Sequence, residues 1–115
     1  MPLDDVPDAK IDSNGVFKYI LIKVTEKASR KEKLIVRGYA HCPFHGDILD
    51  ETEKELGPSY ELQCLGGGRI KHKSEHNILV YGYSQGYGPA DHQKSVDILK
   101  VAYPSYKITF SNEGY

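Results

Sequence analysis

"VFKYILIKV", residues 16–24, decides the fold. Its apolar residues fall on both parities, as in a strand covered on two faces rather than the strict alternation of a half-exposed one. A strand of that kind needs a layer on each side, so the chain is expected to build a sheet with helices packed against it. One position departs from the pattern. Val16, Ile20, Ile22 and Val24 share a face with Lys18, which sets a cation near one end of an apolar row.

Upstream, residues 1–14 are acidic and polar and are expected to form a flexible arm ahead of a single domain over 15–115. Downstream, residues 25–33 read as a charged surface loop. "LIVRGYA" (34–40) is a second strand whose Ile35, Arg37 and Tyr39 share a parity, so Arg37 also falls on an apolar face. "GDILDETEKEL" (46–56) has the period of a helix: Ile48, Leu49, Thr52 and Leu56 form one stripe, Asp47 suits the first turn, and Gly57-Pro58 ends it. Short strands are expected at 59–65 and 69–73, flanking Gly66 to Gly68, and at 77–84. Pro89 opens a second helix to about Ala102 with Val96, Leu99 and Tyr103 on its apolar face, and 106–112 is a last strand. The expected order is ββαβββαβ. That is an α/β chain of the α+β kind, a single mixed sheet of about six strands packed by two helices.

A chain of 115 residues holds one core, and 39% apolar with 27% charged residues suits a domain that folds alone. The formal net charge of -1 leaves no global positive field for a nucleic-acid backbone, so nucleic acid is not an expected partner. No apolar run approaches the roughly 18 residues of a membrane span, and the acidic start has no apolar signal core. Neither a membrane nor an export route is expected, and the protein is read as cytoplasmic. Cys42 and Cys64 lie far apart without a CxxC, so free thiols are expected.

Several motifs tempt. "HCPFHGD" (41–47) offers His41, Cys42 and His45 as metal ligands, but Pro43 breaks the helix that would pair the two histidines, and no fourth ligand follows. No metal is expected there, and His41 and Cys42 read as incidental. "CLGGGR" (64–69) is one residue short of a cysteine-phosphatase loop, and no helix follows Cys64 to lower its pKa. "RGY" at Arg37 lacks the histidine of an acid-phosphatase motif. "GYSQGYG" (82–88) could present tyrosines to RNA, but no basic stripe accompanies it. His72, His76 and His92 sit in polar surroundings and are expected at the surface.

His45 differs from these. It immediately precedes a predicted helix start, where backbone N–H groups and the positive dipole end attract anions and disfavour imidazolium. A neutral ring there can serve as base or nucleophile. Lys18 and Arg37 on strand faces, His45, and the loop beginning at Ser84, Gln85 and Gly86 together suggest one phosphate-sized pocket, the loop offering a hydroxyl and successive amides.

These residues occur within blocks that match a known family. "DSNGVFKYILIKV", "IVRGYA", "FHGDILDE", "CLGGGRI", "VYGYSQGYGPADH" and "YPSYKITFSNEGY" come in the order and approximate spacing of the Janus/Ocnus family, and the chain resembles it from about Asp12 to Tyr115. The family includes small animal phosphatases that act on phosphohistidine in proteins. The resemblance implies a metal-independent enzyme without cofactors that hydrolyses the P–N bond of phosphohistidine, with phosphohistidine-containing proteins as partners. By the same resemblance the catalytic role falls on His45 and substrate contact on Lys18. Phosphate binding falls on Ser84, Gln85 and Gly86, with Arg37 and Arg69 implicated less directly and Gly46 supplying a backbone N–H. Gly46 stands where alanine is common in the family, and Pro43 where a glutamate occurs. The alternative is a non-catalytic module of the same family that binds a phosphorylated or acidic partner in a developmental role.

Overall fold

The computed structural model describes residues 2–73 and 75–112. The strands are β1 (Ala9–Ile11), β2 (Gly15–Glu26), β3 (Glu32–Gly38), β4 (Tyr60–Lys73), β5 (Asn77–Tyr81) and β6 (Lys107–Phe110), with helices α1 (His45–Leu56) and α2 (His92–Ala102). They form one mixed sheet in the order β1-β3-β2-β4-β5-β6. The outer pairs β1/β3 and β5/β6 are parallel and the rest antiparallel. This is the α+β class that the sequence predicts, with six strands and two helices.

β2 is the central strand, and its two parities build two cores. Ile20, Ile22 and Val24 pack with Ile35, Ile48 and Leu56 beneath α1. Phe17, Tyr19 and Leu21 pack with Ile70, Ile78, Val96 and Leu99 beneath α2. An apolar run on both faces is therefore what a sheet between two helices demands.

Three expectations are corrected. Residues 1–14 do not all form a loose arm: Leu3 and Val6 are buried, and β1 adds to the sheet edge in register with Val36, Arg37 and Gly38. The Lys33 ammonium also holds the carbonyl of Val6. The two short strands expected around Gly66 to Gly68 are one continuous β4, with the glycines inside it. Finally, α2 starts at His92 rather than Pro89, because the Asp91 side chain caps the Lys94 N–H at 3.4 Å and residues 88–90 are taken up by β4. The end of the "NEGY" block, Glu113 to Tyr115, lies outside the described residues.

In β4 one extra residue, Leu65, is accommodated where Leu21 opposes Gly66 and Ile22 opposes Cys64. Such a bulge re-aims the strand, here just before the three glycines. Gly66 at φ +145° lets Pro89 and Ala90 lie where a Cβ would meet the Pro89 carbonyl oxygen at 2.6 Å. Gly67 donates its N–H to Gly88 O and accepts from Ala90 N–H, both at 3.0 Å. The glycines thus bind the loop after β5 to the sheet. None of the described helices is long and apolar enough to cross a membrane.

Candidate active site

His45 is the first residue of α1. Phe44 precedes it in an extended conformation, and the Asp47 carboxylate accepts the Phe44 N–H at 3.0 Å, so one half of a capping box fixes the helix entrance. The imidazole points inward and is 7% exposed. Its Nε2 lies 3.0 Å from the carbonyl oxygen of Gly68. A carbonyl only accepts, so Nε2 carries the proton and a neutral ring keeps its lone pair on Nδ1. The Cδ2–Nε2 edge lies against β4: a Cβ on Gly67 would meet Cδ2 at 2.7 Å. Nδ1 is therefore the ring nitrogen that carries the lone pair.

Burial is the main influence on this ring and holds its pKa below the usual 6.5. The Gly68 hydrogen bond opposes that shift, while the positive charges of Lys18 and Arg69 add to it. The net result is an imidazole kept neutral near pH 7 beside cations that suit an anionic ligand. Cys64, by contrast, is held above its usual value by burial, which agrees with its reading as an inert thiol.

An open pocket of about 550 Å³ lies at the helix entrance, lined by Lys18, Pro43, Phe44, His45 and Gly46 on one side and by Ser84, Gln85, Gly86 and Tyr87 on the other. Six residues singled out in the sequence, Lys18, His45, Gly46, Ser84, Gln85 and Gly86, are brought together here. The loop closes on itself, with Ser84 and Gly88 exchanging both backbone hydrogen bonds at 3.1 and 2.8 Å. The Ser84 hydroxyl oxygen accepts the Tyr87 N–H at 3.2 Å. The Ser84 amide is thereby occupied within the loop, which lines the pocket with Ser84, Gln85 and Gly86.

Two expected members stand elsewhere. Arg69 faces Lys18 across the β2/β4 pair and lines an adjoining recess with Lys18, Cys42 and Pro43. Arg37 does not contribute to the pocket at all. It is fully buried, with Nε and NH2 on the two carboxylate oxygens of Glu55 in α1 at 3.2 and 3.1 Å and NH1 on Val36 O. Its place on an apolar sheet face serves a bidentate ion pair that anchors the second half of α1, not a phosphate.

Sequence reasoning missed the two aromatic walls, Phe44 at 70% exposure and Tyr87. Phe44 had a signal, since a large apolar residue at a helix entrance invites the question of what it contacts. Gly46 meets only the Tyr87 hydroxyl, at 3.7 Å from a built Cβ, so the alanine common at this position in the family would fit. His72 and His92 are corrected from surface to core. The His72 Nδ1–H donates to Asp12 O at 2.8 Å, and the His92 Nε2–H donates to Gly82 O at 2.8 Å just ahead of the pocket loop. His92 Nδ1 is 2.6 Å from the Tyr19 hydroxyl, so the pocket loop is tied through α2 to the central strand.

Gly67 carries a prediction. In Gly67→Ala the added methyl would lie 2.7 Å from both the His45 ring and the Tyr19 carbonyl oxygen, and the latter is backbone that cannot rotate away. The ring should be displaced by on the order of 1 Å, a misplacement that costs about 10²-fold in rate. Steady-state kinetics beside a circular dichroism spectrum would check it; full activity in a folded variant would show that the ring position is not critical.

The family model described as Janus/Ocnus matches residues 3–107. The chain is 47% identical to the sex-regulated protein janus-A of Drosophila pseudoobscura, over 98% of this chain and 80% of that protein. It is 44% identical to the 14 kDa phosphohistidine phosphatase of Homo sapiens, over 96% of this chain and 94% of that one, and 44% identical to its counterpart from Sus scrofa. A family model spanning nearly the whole described chain, and relatives at these identities over almost every residue, show that the chain belongs to the Janus/Ocnus family.

Proposed function

We propose that this chain is a protein histidine phosphatase that hydrolyses the P–N bond of phosphohistidine, acting as a cytoplasmic monomer with no metal in the reaction. The observation that carries the reading is one side chain. His45 is buried, holds its Nε2 proton on Gly68 O, and keeps Nδ1 for a pocket that also contains Lys18 and the Ser84–Gly86 loop. Relatives of near-identical length that are named phosphohistidine phosphatase supply the substrate class.

The imidazole leaving group of phosphohistidine departs readily once protonated, so positioning and charge stabilisation can supply most of the catalysis. In one route, Nδ1 of His45 takes a proton from a water aligned opposite the leaving nitrogen. A P–O bond forms as the P–N bond breaks. In the other, Nδ1 attacks phosphorus and forms a new P–N bond as the substrate's breaks, and water then hydrolyses the intermediate. Under both, the Lys18 ammonium, the Gln85 and Gly86 amides and the Ser84 hydroxyl offset charge on the phosphoryl oxygens.

A second reading is a binding module that holds a phosphorylated partner without cleaving it, which the similarity to janus-A keeps in view. A phosphohistidine peptide incubated with the protein and a chelator separates the two. Phosphate release at a rate proportional to protein supports the phosphatase; stoichiometric binding of the intact phosphopeptide supports the module.

A further inference from the structure

We infer that His41, Cys42 and Glu51, which flank His45 in sequence, form a binding site for a zinc-class divalent cation outside the pocket. The ligand atoms of these three side chains all lie within 4.8 Å of one another. His45, the third ligand suggested by sequence alone, is not one of them. Its place is taken by Glu51, ten residues after His41, which α1 carries back over the strand exit.

The donor set suits the ion. A thiolate, a neutral imidazole and a carboxylate together carry two negative charges and match a divalent cation, and sulfur with imidazole selects zinc over magnesium or calcium. Zinc bonds of about 2.0–2.3 Å set tetrahedral ligands roughly 3.3–3.5 Å apart. His41 Nε2 and Glu51 Oε1 are now 2.6 Å apart, bridged by a proton, so adjustments of about an ångström admit the ion. Both side chains are solvent-accessible and free to make them. Water would complete the fourth position, since three protein ligands leave one open.

The strand exit is already ordered for this. Asp12 accepts the Ala40 N–H at 2.6 Å, the Cys42 N–H reaches Tyr39 O at 3.3 Å, and the His41 ring stacks on Tyr39 with centroids 5.2 Å apart. Cys42 is 6% exposed and belongs to the core cluster that includes Ile48 and Leu56 of α1, with its Sγ within 4.8 Å of the His41 and Glu51 ligand atoms. Binding releases the thiol proton to solvent and ties the end of the β3 exit to the second turn of α1, bracketing the turn that carries His45.

The test uses untagged full-length protein, reduced and stripped of metal, titrated with Co²⁺ and then Zn²⁺. The expected result is one Co²⁺ per chain with a thiolate-to-cobalt charge-transfer band, displaced by Zn²⁺, and a thermal midpoint that rises with Zn²⁺. Cys42→Ser should abolish the band. Glu51→Gln, at a solvent-accessible helix position where folding is not at issue, should weaken binding by more than the roughly 10–100-fold that a supporting residue costs. His45→Ala should bind as the parent does. A missing thiolate band, a band that survives in Cys42→Ser and so comes from Cys64, unchanged affinity in Glu51→Gln, or binding lost in His45→Ala would each overturn the site.

Discussion

Replacing His45 with alanine is expected to remove turnover of a phosphohistidine peptide while the fold persists. If the imidazole acts as a general base, the loss is about 10²–10⁴-fold. If it is the nucleophile, the covalent route vanishes altogether. The helix does not depend on this side chain, because Ile48, Thr52 and Leu56 bury the face that docks on the sheet and Arg37 holds its far end through Glu55. The variant should therefore unfold near the parent's denaturant midpoint, and added imidazole, which fits the vacated space, should restore part of the rate. Alkaline quenching of the parent during turnover separates the two routes: phosphate retained on His45 marks the nucleophile. A folded His45→Ala protein that hydrolyses the peptide at the parent rate would contradict both.

The largest effect on stability is expected at Arg37. Its side chain is fully buried and its guanidinium is engaged by both oxygens of Glu55. Removing one partner of a buried pair leaves the other poorly compensated, and such losses run to about 3–5 kcal/mol. Arg37→Ala should lose roughly that much by urea denaturation, with the slope unchanged. Glu55 keeps Lys10 at 4.0 Å and is partly exposed, which places the expected value toward the lower end. An Arg37→Met, Glu55→Leu double variant should recover most of the loss, because apolar pairs of similar volume commonly replace buried ion pairs without cost. Activity per folded molecule should change little, since Arg37 does not line the pocket. A large rise in KM with unchanged stability would instead return Arg37 to phosphate binding.

What could be read from sequence divides along the range of the interactions. The two-faced pattern of residues 16–24 identified the central strand because each parity reports its own neighbours locally. The same parity argument put Arg37 on an apolar face, but its partner lies 18 residues away on another element, so the ion pair left no local trace. His92 looked polar for the same reason: the Tyr19 hydroxyl that accounts for its burial is 73 residues distant. The three glycines of β4 read as a turn since glycine weakens strands, yet here each makes room for something the chain brings from elsewhere: Pro89, His45 and His92. β1 carries no readable period, because it has three residues, of which Ala9 and Ile11 are part-buried and Lys10 is exposed. The gathering of Lys18, His45 and the Ser84–Gly86 loop was legible, since a helix start and a glycine-bearing loop each signal anion-binding backbone. The occupied Ser84 amide was not, because it depends on how the loop closes.

If His45, kept neutral by burial and by the Lys18 charge and positioned by the Gly68 carbonyl, is the reacting group, its protonation sets the acid limb of activity. The most direct measurement is the pH dependence of kcat/KM for one phosphohistidine peptide with the parent and with Lys18→Ala. A base or nucleophile must be unprotonated and the His45 pKa lies below 6.5, so under the proposed mechanism the parent's activity should fall with acid only below that value. The Lys18 charge disfavours the imidazolium, so removing it should raise the His45 pKa and move the acid limb to higher pH. Titration of the substrate is common to both proteins and drops out of the difference between them. An acid limb that stays where it is, or moves to lower pH, would show that His45 is not the group whose protonation limits the reaction.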